Sequence, residues 1–237
     1  MSAKVSRFSL PGLRMAGNLN RFWLAQDCLH CDAESGRELL CDACREDLPR
    51  LAEPCPRCAM PSTGGAICGA CLAHAPHFDA TVAPWVYDYP VDRLVLALKF
   101  QRRLALAPVL ARALQKLWHA GADIIVPMPL HRARLAERGF NQSAEIARCL
   151  ARSIGVPLAL DMLVRIRHTA PQSELPHAER AVNVRGVFSC RREMSGLSVA
   201  LVDDVMTTGA TLDEAARILK RAGAARVENW VAARTLP

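Results

Sequence analysis

Aromatic side chains are scarce in this 237-residue chain: Phe, Trp and Tyr make up 5% of it, and only two residues are Tyr. A surface that grips single-stranded nucleic acid by stacking bases needs aromatics interleaved with its cations, and that interleaving is thin here. No apolar run approaches the roughly 20 residues needed to cross a bilayer. The first 27 residues carry scattered basic side chains without a continuous apolar core or a cleavage site. They are expected to be a leader or short docking helix over 1–22, with the protein in the cytoplasm. What is present is 51% apolar residues, enough for a real core, and 22% charged residues, which argue against disorder. The length suits one medium α/β domain plus a small module.

The charge is unevenly placed. Net charge is +7, yet residues 1–78 balance 8 Lys/Arg against 8 Asp/Glu, and the segment 131–192 holds 11 Arg against 5 acids. Arg offers a fixed fork of donors matched to phosphate, so this bias points to an anion: pyrophosphate, nucleic acid or both.

Eight of ten cysteines form C-x-x-C pairs: Cys28/Cys31, Cys41/Cys44, Cys55/Cys58 and Cys68/Cys71. Two such turns complete a tetrahedral Zn²⁺ site, and a small segment with little core of its own needs that staple. Two structural zinc ions are expected. The spacing allows a sequential pairing (first with second, third with fourth) and a cross-braced one. Structural disulfides fit poorly without a secretory signal, and four regular pairs exceed what a redox dithiol needs. His30, His74 and His77 lie nearby but are not required, and Cys149 and Cys190 read as packing residues.

From Phe78 the pattern becomes strand–helix alternation. A strand is expected over 80–86, helices over 91–100 and about 105–120, a short strand over 124–126, an Arg-rich loop with Arg132, Arg134 and Arg138, and a helix in FNQSAEIARCLARSIG. This alternation favours a mainly parallel sheet with ligands collecting beyond the strands' carboxyl ends. Near the C-terminus, SVALVDDVMTTGATL reads as buried strand Val199–Val202, acid pair Asp203 and Asp204, then a small-residue loop at a helix start. Backbone N–H groups there, with the hydroxyls of Thr207, Thr208 and Thr211, make a phosphate site. Gly209 removes a side chain where the ligand approaches, and the acids suit vicinal sugar hydroxyls. A ribose 5-phosphate satisfies both features. Lys99, at the polar end of its helix, either meets a phosphate or caps carbonyls.

This stretch resembles the signature of type I phosphoribosyltransferases, which bind phosphoribosyl pyrophosphate (PRPP). The resemblance implies that Asp203 and Asp204 hold the ribose hydroxyls while Thr207, Thr208, Gly209, Ala210 and Thr211 wrap the 5-phosphate. Taken with the cysteine pairs, LKF, PMPLHRARLAERGFNQS and RIRHTAPQSELPHAERAVNVRGVF, the chain resembles the ComF/GntX family over about residues 22–234. That family resembles phosphoribosyltransferases fused to an N-terminal zinc ribbon. It implies a type I phosphoribosyltransferase-like α/β fold, with a mainly parallel sheet and helices on both faces, preceded by a small zinc-ribbon module with four cysteines per metal. The expected division is 23–77 for the double zinc ribbon and 78–237 for the phosphoribosyltransferase-like domain. By this resemblance Met128, Pro129 and Arg132 belong to a pyrophosphate loop, and Lys99 to the PRPP site. Arg165, Arg167 and Arg180 lie in an Arg-rich flap spanning 165–188. Mg²⁺ is expected to accompany PRPP by bridging its oxygens. One departure stands out: Gln101-Arg102-Arg103 follows Lys99 where the family often has a Gly-containing turn.

The resemblance implies a PRPP-binding protein acting in natural transformation or in uptake or use of DNA, with DNA-uptake proteins and single-stranded DNA as expected partners. One competing reading is an active phosphoribosyltransferase of nucleotide metabolism, although no residue names an acceptor base and no glutaminase domain is present. The other is a non-enzymatic single-stranded DNA adaptor, with Trp85, Tyr87 and Tyr89 as candidate stacking groups.

Overall fold

The computed structural model describes residues 26–119, 121–167 and 184–237. The expected leader, and Arg180 of the expected flap, lie outside the described residues. The chain divides into two compact units, 1–46 and 47–237, so the boundary falls between the two halves of the cysteine-rich region.

In the first unit, strands β1 (Gln26–Asp27) and β2 (Glu34–Gly36) pair antiparallel and precede helix α1 (Asp42–Glu46). The Cys28–Cys31 turn closes with Cys28 N–H donating to Ala33 O at 2.7 Å and Asp32 N–H to Cys28 O at 3.0 Å.

The second unit opens with a matching turn. Cys55 N–H donates to Met60 O at 2.7 Å and Ala59 N–H to Cys55 O at 2.9 Å, and helix α2 (Gly69–Ala73) follows. The chain then enters a parallel sheet of β3 (Ala80–Val82), β4 (Trp85–Val86), β5 (Ile124–Pro127), β8 (Ser198–Met206) and β9 (Arg226–Arg234), in order β3-β9-β8-β5 with β4 also on β9. The expected strand over 80–86 is thus two short strands. Its outer edge is covered by the cysteine-bearing segment: Thr81 N–H donates to Pro56 O and Val86 N–H to Pro49 O.

Helices α3 (Val91–Gln101), α4 (Leu106–Lys116), α5 (Arg132–Arg138), α6 (Gln142–Ile154) and α7 (Ala210–Arg221) connect the strands. The segment 132–138, expected as a loop, is helical, its first turn capped by the His131 side chain accepting from Ala133 N–H. Asn141 caps α6 in the same way through Ser143 N–H, and Gly155 ends it in the left-handed region. Strands β8 and β9 are buried on both faces, which is why they read as near-continuous apolar runs. Val199, Leu201, Val227 and Val231 share one core with Leu212, Ala215, Ala216 and Leu219 of α7. Helices α4 and α6 pack on each other and on the sheet, burying Leu106, Leu110, Leu114, Ile146 and Leu150. A separate antiparallel pair, β6 (Leu163–Arg165) and β7 (Phe188–Cys190), brackets the segment expected as a flap.

Candidate functional site

The site is built at one end of the sheet. Strands β5 and β8 are parallel neighbours, with Pro127 opposite Val202, so the loops that follow both leave on the same side. The acid pair lies within β8, which continues to Met206 rather than stopping at Val202 as expected. Asp204 is 3% exposed and Asp203 is half-buried.

Helix α3 ends beside them. Lys99 Nζ lies 2.9 Å from Asp204 Oδ1, so Lys99 neutralises the deeper acid, a partner not read for it from sequence. Burial alone would lower the Lys99 ammonium, but the Asp204 carboxylate overrides it and the net shift is upward. The other oxygen of Asp204, Oδ2, is buried with no hydrogen-bond partner. Tyr87 sits close enough to feel both charges; burial chiefly pushes its phenol up.

Asp203 is held from α6. Ser143 Oγ donates to its Oδ1 at 2.7 Å, and the Asp204 backbone N–H donates to the same oxygen at 2.9 Å. Burial, then the neighbouring Asp204 charge, push the Asp203 carboxyl up to about 7, against the pull of Ser143 and Lys99. The two adjacent acids therefore differ: Asp204 faces a cation at contact distance, whereas Asp203 is poised to exchange a proton near neutrality.

The loop after β5 reaches the same place. Met128 is buried, its N–H donates to Val202 O, and its carbonyl accepts from Asn141 Nδ2 at 2.9 Å, which ties this loop to the start of α6. Pro129 follows, half-buried. Arg132 is exposed at the first turn of α5; Arg134 is the more enclosed, with Nη2 buried and unpartnered. Arg138 donates to Gln142 Oε1 at 2.6 Å and lies 5.2 Å from the centre of the Phe100 ring. Arg165 stands over Phe188, and its guanidinium is lowered first by burial and then by Arg134, with Asp203 acting the other way. Arg134 and Arg165 thus bring two partly enclosed guanidiniums near each other and near Asp203. Arg167 is exposed.

After β8, Thr207 and Thr208 are half-buried, and Ala210 N–H donates to Thr208 Oγ1 at 3.3 Å. Gly209 caps α7 at φ +86°, and a Cβ there would stand 2.6 Å from Met206 Cε. Thr211 lies in the first turn. Glu214, one turn on, accepts from Gly186 N–H at 2.8 Å and pairs with Arg217, fixing the chain just before β7. Ser143 and Arg234 escaped the sequence reading as site residues. Asn-Gln-Ser at a helix start signals Ser143. Arg234 shows only as a charge ending an apolar strand.

The cysteines resolve into Cys28, Cys31, Cys41, Cys44 and, separately, Cys55, Cys58, Cys68, Cys71, which is the sequential pairing. In each set all ligand atoms lie within 4.8 Å of one another, with Cys31–Cys41 sulfurs at 3.7 Å and Cys58–Cys68 at 3.5 Å. A tetrahedral zinc–thiolate site with bonds of about 2.3 Å has sulfur–sulfur edges of about 3.8 Å, so both sets fit Zn²⁺. Backbone N–H groups point at the sulfurs, as Cys68 N–H does at Cys55 Sγ, 3.3 Å away. At Cys28, burial raises the thiol but backbone N–H groups outweigh it, leaving it near 6, whereas the Cys31 sulfur chiefly pushes Cys44 up. Four crowded sulfurs ionise together only around a cation.

A model of the phosphoribosyl transferase domain matches residues 140–235, and a model of the double zinc ribbon domain matches residues 19–72. Fold and cysteine sets thus define a phosphoribosyltransferase-fold protein carrying a double zinc ribbon. The chain is 36% identical over 206 residues to the DNA utilization protein YhgH of Salmonella typhimurium, covering 83% of this chain and 91% of that protein. It is 31% identical over 221 residues to competence protein F of Haemophilus influenzae, covering 87% and 96%. Competence protein ComFC of Bacillus subtilis is 26% identical over 233 residues, covering 88% and 95%. The chain belongs to the ComF/GntX family.

Proposed function

We propose that this crevice binds PRPP and that the protein acts in the uptake or use of DNA. The observation that carries the ligand is the buried, unpartnered Oδ2 of Asp204 beside a proton-poised Asp203. An orphaned carboxylate oxygen costs free energy until a donor reaches it, and a ribose hydroxyl is such a donor. The Thr207–Thr211 loop at the start of α7 takes the 5-phosphate by its backbone N–H groups. Arg134 and Arg165 face the pyrophosphate. The DNA role comes from the named relatives, whose names speak of DNA utilisation and competence.

The residues present fit Mg²⁺ only as a companion of the ligand. Lys99 already neutralises Asp204, leaving that acid one free oxygen, and Ser143 and a backbone N–H occupy one oxygen of Asp203, whereas a protein cage would need several free carboxylate oxygens. Bound with PRPP, Mg²⁺ would offset the charge that gathers on departing pyrophosphate oxygens. This chain's own residues orient the ribose through Asp203 and Asp204, hold the 5-phosphate and supply positive charge from the Arg side. Whether phosphoribosyl passes to an acceptor is tested by pyrophosphate release. Wild type is expected to bind PRPP, and release with a nucleobase or amine acceptor identifies a transferase.

A second reading, a single-stranded DNA adaptor, draws on Phe100, 68% exposed beneath Arg138, and Tyr89, 62% exposed; Trp85 is buried and leaves the list of stacking groups. Oligonucleotide binding that weakens steeply with salt and drops about tenfold in Phe100→Ala supports it. Salt-independent or absent binding removes it.

A further inference from the structure

The two cysteine sets are not equivalent in the fold. The second belongs to the compact unit that contains the sheet, and one side chain joins it to the phosphate loop. Arg234, the last residue of β9, is 5% exposed. Its Nε donates to Cys58 O at 2.9 Å. Its Nη1 donates to Met206 O at 3.0 Å, to Thr207 O and to Thr235 O at 2.9 Å. One rigid guanidinium therefore spans the turn of the second set and the start of the Thr207 loop. A Lys, with a single compact ammonium, cannot reach both sides with fixed geometry.

Packing follows the same line. Ala59 and Cys58 of the turn share a core with Phe78, Met206 and Leu212. Phe78 Cζ would lie 3.9 Å from a Cβ at Gly209. A second tie runs beside it: His77 N–H donates to Asp213 Oδ1 at 2.5 Å, and His77 Nδ1 lies 3.0 Å from Asp213 Oδ2, in the first turn of α7. The charge balance is informative too. Among the described residues Arg234 forms no ion pair with a carboxylate, and its hydrogen bonds go to carbonyls. A buried cation left so is costly. The sulfurs of Cys58, Cys71 and Cys68 are near enough to act on it, and a zinc site of four thiolates carries a formal charge of about −2.

We propose that the second cysteine set, when it holds zinc, buttresses the Thr207–Thr211 loop through Arg234, so that metal at this site controls how well the loop is ordered. Arg234 is a positioning residue: it acts through the loop carbonyls and touches no ligand. The consequence for PRPP affinity rests on the reading of the loop given above; the coupling between metal and loop does not.

The test is amide hydrogen exchange on the full-length, zinc-loaded chain without any phosphate ligand, comparing wild type, Arg234→Leu, Arg234→Lys, Cys58→Ser and Cys31→Ser, with zinc content measured in each. Expected are at least tenfold faster exchange of 207–211 in Arg234→Leu and Cys58→Ser, a smaller rise in Arg234→Lys, and no change in Cys31→Ser. Interior amides of β8 hold throughout, and Arg234→Leu keeps both zinc ions, which separates positioning from general loss of fold. Unchanged loop exchange in Cys58→Ser, or an equal rise in Cys31→Ser, overturns the proposal; that pair decides it even if Arg234→Leu fails to fold. PRPP titration of the same samples is read separately. Loop coupling without PRPP binding keeps this inference and removes the functional reading.

Discussion

Replacing Asp203 by Asn is expected to stabilise the ligand-free protein at neutral pH and not at acid pH. Burial, followed by the charge of Asp204, lifts the Asp203 carboxyl from 3.8 to about 7 in the folded chain. The folded state thus keeps a proton that the unfolded state has already released. The stability this contributes is complete below about pH 4 and is lost as pH rises through about 7. About three units at roughly 1.4 kcal/mol each set a ceiling of about 4 kcal/mol on the effect. Asn keeps the shape and the acceptor for Ser143 Oγ while removing the charge, so the variant escapes the loss. The assay is urea unfolding of zinc-loaded wild type and variant at pH 5, 6, 7 and 8. Zinc loading varies with pH equally in both and cancels in the difference. The midpoint gap in favour of Asn should widen from pH 5 to about pH 7 and level off by pH 8. A gap that does not change with pH, or one favouring wild type at pH 8, would refute the reasoning.

Other substitutions read the same site from different sides. Lys99→Met leaves Asp204 buried and unpaired and should cost about 3–5 kcal/mol in urea unfolding, with Lys99→Met/Asp204→Leu recovering most of it. Arg102 ends α3 in the left-handed region at φ +56°, so Arg102→Gly should stabilise by roughly 1 kcal/mol, seen as a higher thermal midpoint. Gly209→Val places a branched side chain at φ +86° against Met206 and should cost roughly 1–3 kcal/mol while abolishing phosphate-ligand binding by calorimetry. Thiol modification of the whole protein should release two zinc ions per chain, and Cys58→Ser should release one.

Much of this was legible in the sequence because the signals were local. The cysteine spacing announced two four-sulfur sets, and Val199–Val202 running into acids and a Thr/Gly loop announced a strand, a small-residue loop and a helix start. The parallel order of β5 and β8 followed from the strand–helix alternation, and it brings Met128 and Asp203 to one end. What was hidden depended on contacts between distant residues. Lys99 meets Asp204 only once α3 packs beside β8, 105 positions later in the chain. Ser143 reaches Asp203 across 60 positions, and Arg234 reaches Cys58 across 176. No local periodicity encodes such pairs. The 132–138 helix was masked because its Arg and Ala residues bury no apolar stripe, and helical periodicity is read from such a stripe. The assignment of the second cysteine set to the sheet's own compact unit was likewise beyond spacing, since the four pairs look alike in sequence and differ only in what they pack against.

The most direct test of the central claim is calorimetric titration of PRPP with Mg²⁺ into zinc-loaded wild type and the Asp203→Asn/Asp204→Asn variant. The account predicts saturable binding at one site per chain in wild type and its loss in the variant. Absence of binding to well-folded wild type, or equal binding in the variant, contradicts it.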